Sequence, residues 1–195
     1  MPGSEFAEAL AAARAGQEWG FAALYEQFAP AVLGFLRGRI PTEAEDIAST
    51  VWLEAARNLE RFEGDEAGFR AWIFTIARRR MMNERRRQRR RPVDLYPHET
   101  LPTPVDRADP AIQIAESDAA ARAIETIREV LPELQGEVVL LRVVAELGVN
   151  EIAELLELAP GHVRVLAHRG LRALAEHFSR VAVTPGADPG ISEVP

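Results

Sequence analysis

The sequence predicts an all-α protein: two small helical domains joined by an acidic, proline-rich linker, the second domain containing a helix-turn-helix. Three observations carry this. Apolar residues recur at three- and four-residue spacing along nearly the whole chain, with no convincing alternating strand pattern or internal repeat. Five prolines fall among scattered Asp and Glu in residues 92–110, a composition too proline-rich for helix and too polar for core. A further helical block follows, in which residues 148–174 have helix-turn-helix spacing. The chain therefore divides into a helical domain 1–91, a flexible acidic linker 92–110, a second domain 111–178 and a tail 179–195 whose Pro and Gly predict disorder.

The elements follow in order. Ser4 can cap a short first helix. Phe21, Leu24, Tyr25 and Phe28 repeat at helical spacing, and Val32, Phe35 and Leu36 follow Pro30. Thr42 and Glu45 have the spacing of a capping box, predicting the start of a helix with Ile47, Val51 and Ala55 inward and Glu45, Asp46, Glu54 and Arg57 outward. Residues 62–65 break it. The next helix sets Phe69, Trp72, Ile73 and Ile76 on a buried face and closes in residues 78–91, which hold nine of the 23 basic residues before Pro92 ends it. Asp109-Pro110 is a natural helix start, a cap followed by proline in the first turn. In the second domain, Ile152, Ala153, Leu155 and Leu156 mark a first short helix, and Ala159-Pro160-Gly161 a break. Val163, Leu166 and Leu171 then mark the inner face of a second helix. Its outer face carries His162, Arg164, His168, Arg169 and Arg172.

Charge is unevenly placed. The net charge is −7 and lysine is absent, so every basic residue in the 78–91 run is arginine. A planar fork of donors suits phosphate oxygens and guanine edges, so an array of arginines points to nucleic acid. A solvated or frayed basic tail explains the run alone equally well. Residues 92–158 hold fourteen acidic residues against four arginines. A chain basic only locally is expected to grip DNA conditionally, with a partner. The outer face of the second helix fits the major groove, its early residues at base edges. The competing reading is an ordinary helical hairpin.

Other classes recede. Zero cysteines exclude disulfides and thiolate metal sites and fit a cytoplasmic protein. No apolar run approaches the roughly 20 residues of a membrane span, and two glutamates precede the first arginine, the reverse of a secretory signal. His98, His162, His168 and His177 show no metal-ligand spacing, and there is no nucleophile elbow or phosphate-cradling glycine loop. No metal, cofactor or catalysis by this chain is expected.

With both ends read, the chain resembles the extracytoplasmic-function sigma factors, small initiation subunits of bacterial RNA polymerase. The first half carries the resemblance through Glu43-Ala-Glu-Asp-Ile47, Trp52-Leu53, Leu59-Glu-Arg-Phe62, and Phe69-Arg-Ala-Trp-Ile-Phe-Thr-Ile-Ala-Arg78 with its arginine tail. The second half does so through Leu131-Pro132, Val138-Val-Leu-Leu-Arg142, Glu151-Ile-Ala-Glu154 and Gly161-His-Val-Arg164. The resemblance implies that residues 42–59 dock on the clamp coiled coil of core polymerase, with Glu45, Asp46, Trp52 and Arg57 as contacts. It implies that residues 64–69, including Gly64, Asp65, Glu66 and Phe69, capture a base flipped from the −10 element, with Arg78, Arg79 and Arg85 holding the backbone beside it. His162, Arg164, His168, Arg169 and Arg172 then fall to the −35 element, and the linker to the polymerase cleft. An anti-sigma factor is implied as regulator. Members often carry arginine where this chain has Gly136, glycine where it has Glu157, and Lys-Ser-Arg where it has Arg164-Val165-Leu166. Two other readings are a free-standing helix-turn-helix regulator, which leaves the aromatic-plus-arginine helix unexplained, and an RNA-binding protein using the arginine run.

Overall fold

The computed structural model describes residues 3–90 and 110–183, with side chains of the second block placed from 118 to 181. The linker expected at 92–110 and the tail therefore lie almost wholly outside the described residues. The helices are α1 (Gly3–Arg14), α2 (Glu18–Arg37), α3 (Ala44–Asn58), α4 (Glu66–Arg90), α5 (Pro110–Val130), α6 (Glu133–Val143), α7 (Val149–Leu156) and α8 (Pro160–Val183). Single 3₁₀ turns, Pro41–Glu43 and Leu59–Arg61, flank α3. No strand occurs among the described residues.

Helix α2 runs unbroken through Pro30. Phe21, Leu24, Phe28, Val32 and Phe35 form one continuous face, and Pro30 lies on the opposite, exposed side, where water can serve the carbonyl it leaves unpaired. α1 packs tightly against it: a Cβ on Gly20 would stand 2.4 Å from the Ala13 backbone nitrogen. The first half of α4 buries Phe69, Ile73 and Ile76 as its spacing predicts, while Trp72 stays half-buried. Around Phe69 the rings of Phe28, Phe6 and Phe62 close at centroid distances of 5.0, 5.7 and 5.4 Å. Such pairs add to the burial energy of the rings themselves.

Two local expectations fail for identifiable reasons. The capping box at Thr42 does not form: Pro41 begins a 3₁₀ turn, α3 starts only at Ala44, and the Glu45 carboxylate is taken by Arg37 at 2.7 Å. Ser4 is the second residue of α1 rather than the residue before it.

In the second domain α6 buries Val138, Val139, Leu140 and Leu141 on all sides, which is why its apolar run is continuous rather than periodic. A Cβ on Gly170 would meet Val139 Cγ2 at 2.6 Å, so glycine permits the close crossing of α8 over α6. α7 and α8 form the helix-turn-helix, with Ile152, Ala153, Leu156, Val163 and Leu166 inside. Glu151 reaches back to accept the Gly148 N–H at 2.5 Å, and Glu157 closes α7 at φ 56°. Leu171, expected inside, is 45% exposed because Gly170 and Leu174 take the inner face at that turn. α8 continues to Val183, past residue 178.

The two domains pack on each other. Gly34 and Gly38 of α2 admit Val144, Ile124 and Leu140 of the second domain. Cβ atoms at the two glycines would lie 3.1 Å from Val144 Cγ1 and 2.6 Å from Leu140 Cδ1.

Candidate nucleic-acid interface

The arginine array begins where α4 leaves the core. α4 stays helical to Arg90, so the described part of the run is not frayed, although its later arginines are solvated. Arg78 Nε donates to Glu137 Oε1 at 2.9 Å. Arg79 pairs with Glu54 of α3, and Arg80 Nε donates to the other Glu54 oxygen at 2.6 Å. Arg85 pairs with Glu133 and donates to the Arg39 carbonyl at 2.9 Å. Arg87 pairs with Glu84 at 2.9 Å, while Arg86, Arg89 and Arg90 are exposed. The first arginines are thus positioned by carboxylates, and the later ones lie in solvent.

The loop before α4 is shaped for a tight approach. Gly64 sits at φ 151°, a conformation that favours glycine, and an added Cβ would lie 3.0 Å from the Phe62 ring. Asp65 accepts the Gly68 N–H at 2.9 Å and so caps α4, while Glu66 accepts from Gln27 at 2.6 Å and from Arg70 at 3.2 Å. Between this loop and α1 an open cavity of about 890 Å³ is walled by Phe6, Ala7 and Leu10 on one side and Gly64, Asp65 and Arg70 on the other. Phe6 and Leu10 are themselves buried, so the surface this depression offers comes mainly from Ala7, Gly64, Asp65 and Arg70.

Two sequence-predicted contacts are corrected. Phe69 is 1% exposed at the centre of the aromatic cluster, so it supports the loop and presents no surface to DNA. Trp52 is 5% exposed, packed against Phe21 and Tyr25 at 5.9 and 4.9 Å, and is core rather than a polymerase contact. Glu45, Asp46 and Arg57 lie exposed on α3. On α8, His162, Arg164, His168, Arg169 and Arg172 are all exposed, and Arg172 pairs with Glu176 at 2.8 Å.

Sequence reading missed three residues. Val165 is 45% exposed on the outer face of α8, since Leu166 turns inward. Glu137 is the buried charged residue among the described ones, hidden in an apolar run. Arg39, two residues past the end of α2, has a side chain only 7% exposed and reaches Glu133 at 2.9 Å. Burial pulls its guanidinium below the ordinary arginine value, with Glu137 opposing the shift. Hydrogen bonding from Arg85 holds the Glu133 carboxyl below the usual carboxylate value. Among the described residues no cluster of His, Asp and Glu can hold a metal ion.

Residues 24–91 match the model of Sigma-70 region 2, and residues 121–174 that of Sigma-70, region 4. The chain is 31% identical to the ECF RNA polymerase sigma factor SigD of Mycobacterium tuberculosis over 185 residues, 91% of this chain and 86% of SigD. It belongs to the ECF sigma factor family. Another relative is the ECF sigma factor RpoE of Cereibacter sphaeroides, 32% identical over 83% of this chain and 88% of that protein. The fold also aligns with a solved structure of CnrH in complex with the cytosolic domain of CnrY, at a TM-score of 0.55 and 22% identity, covering 88% and 96% of the two chains. This sigma factor is a transcription initiation factor that works with bacterial RNA polymerase on promoter DNA. The arginine helix and the loop before it fall within the region 2 match, whereas the α1 wall of the cavity precedes it, and the region 4 match covers α7 and most of α8.

Proposed function

We propose that this sigma factor opens promoters with binding energy alone, its first domain holding a flipped −10 base and its second the −35 duplex. The observation that carries this is the capped loop with its exposed Asp65 directly before α4, the same helix whose arginine array begins at Arg78. Flipping a base costs a few kcal/mol, which stacking and polar contacts of roughly 1–3 kcal/mol per base offset. The free oxygen of Asp65 reads the edge of that base. Arg78, Arg79 and Arg85 bind the backbone next to it, and Glu45, Asp46 and Arg57 meet the polymerase clamp.

On the −35 side, His162 lies in the first turn of α8 and Arg164 just after it, near the start where a recognition helix meets base edges. Val165 adds an apolar contact suited to a thymine methyl. The chain performs no catalysis of its own, acts in the cytoplasm with core polymerase, and is silenced by an anti-sigma factor covering the same surfaces. Residues 1–91 and 111–178 act as the two binding domains, with 92–110 as the tether threading the polymerase cleft.

The test is transcription with sigma-free bacterial core polymerase on a pooled promoter library. Specific starts sharing a −35/−10 spacing are expected. Absence of both core binding and specific starts overturns the reading.

A further inference from the structure

Helix α8 runs on past the domain it closes. The Sigma-70, region 4 match ends at residue 174, yet the helix continues to Val183. α5, α6 and α7 pack on its inner face, where Val163, Leu166 and Leu174 are buried. Beside that face Leu171, Ala175, Phe178 and Val181 recur at i, i+4, i+7 and i+10, the spacing of a single helical stripe. All four are exposed, the three large ones at 45, 50 and 61%.

The shape of the stripe is complementary to itself. Phe178 is its knob, held on the helix surface by the His177 ring, which meets it edge to face at 5.7 Å. Ala175, one turn back, is the hollow beside that knob. A second α8 laid antiparallel, about a twofold axis between Glu176 and His177, sets each Phe178 on the other copy's Ala175. The same pairing brings each Leu171 beside the other copy's Val181. A parallel copy would set Phe178 on Phe178 instead, knob against knob.

Charge points the same way. The stripe carries none, and Arg172 on its flank is already paired with Glu176 at 2.8 Å. A strongly charged partner would find nothing there to answer it, whereas a second copy meets no repulsion along the stripe. Three half-exposed side chains and an alanine on each copy bury less than about 1,200 Å² in a pair, the class of weak, reversible contacts.

We propose that residues 171–181 of α8 form an isologous, antiparallel contact between two copies of this sigma factor, with Phe178 of each seated on Ala175 of the other. The dissociation constant expected of so small an interface is about 10–100 μM. His162 and Arg164 stay outside the contact, so each copy keeps the end of the helix assigned to base edges.

The test is sedimentation velocity of the full-length chain from about 1 to 300 μM, which should show monomer passing to dimer with concentration. Ala175→Phe fills the hollow and Phe178→Ala removes the knob, and each should weaken dimerisation about tenfold or more. The swapped pair Ala175→Phe/Phe178→Ala sets large against small again and should restore it. Both positions face solvent, and unchanged far-UV circular dichroism and thermal midpoint show that the variants are folded. Orientation is read separately, with a spin label on His168→Cys, the sole thiol in a chain without cysteine. Labels roughly 25 Å apart are expected of the antiparallel pair, against roughly 10 Å for a parallel one.

A dimer indifferent to both single variants, a swapped pair that stays monomeric, or labels at the parallel distance overturns the proposal. So does a chain monomeric throughout, and loss of core binding in Phe178→Ala would then assign the stripe to polymerase.

Discussion

Glu157 holds the turn of the helix-turn-helix in a left-handed conformation, φ 56° and ψ 43°, and does so as a residue with a Cβ. The conformation costs an L-residue roughly 1 kcal/mol, and glycine adopts it freely. Glu157→Gly is therefore expected to stabilise the second domain by about 0.5–1 kcal/mol, read as a raised midpoint in urea unfolding. Gly20 gives the opposite case. Its absent Cβ is what lets α1 reach the α2 backbone, at 2.4 Å from Ala13 N, so Gly20→Ala must push two helices apart. A loss of about 1–3 kcal/mol is expected by the same measurement, the usual scale of overpacking. The sequence showed glutamate at a family glycine position but not its dihedral angles. It likewise could not place Trp52 and Phe69, because large aromatics sit in cores and at binding surfaces alike. Only the neighbouring rings of Phe21, Tyr25, Phe28 and Phe6 decide.

At the scale of elements, periodicity predicted most of the helices, since each amphipathic face had to find a partner. Starts were less legible. The Thr42 and Glu45 spacing is that of a capping box, yet Arg37 competes for the glutamate from the preceding helix, and a long-range ion pair leaves no local signal. Two elements carry predictions about DNA. On α8, Arg164 lies one turn from the helix start and is exposed, so Arg164→Ala should weaken −35 duplex binding by about 1–3 kcal/mol and relax preference at one base pair. On α4, Arg78→Ala with Arg79→Ala should slow open-complex formation while leaving core binding intact, measured by permanganate footprinting beside a core-binding titration. Equal loss of both would make the arginines struts. That outcome has a physical basis to exclude, because Arg79 and Arg80 tie α4 to Glu54 on α3, the helix proposed to meet polymerase.

At the scale of the molecule, two domains legible from composition turn out to share a packed boundary that composition does not show. Its polar half is sensitive to solution conditions in a direction fixed by chemistry. Hydrogen bonding from Arg85, then the nearby charges of Arg85 and Arg39, lower the Glu133 pKa from its ordinary 4.5. A carboxylate with a depressed pKa in the closed form takes up a proton more readily once released. Its contribution to closure is therefore complete above the ordinary value and lost as pH falls through the depressed one. Closure should hold from pH 7 down to about 5 and weaken below about 4, where carboxylates protonate. Small-angle scattering across that range should show the radius of gyration rising at the acid end, with a smaller rise in Glu133→Gln, which starts partly open. Glu133 is 63% exposed, so the pair is screened, and added salt at neutral pH should open the seam in the same sense as acid. An acid expansion identical in wild type and Glu133→Gln would assign the closure to the apolar contact of Gly34 and Gly38 with Val144 and Leu140, leaving the ion pairs as passengers.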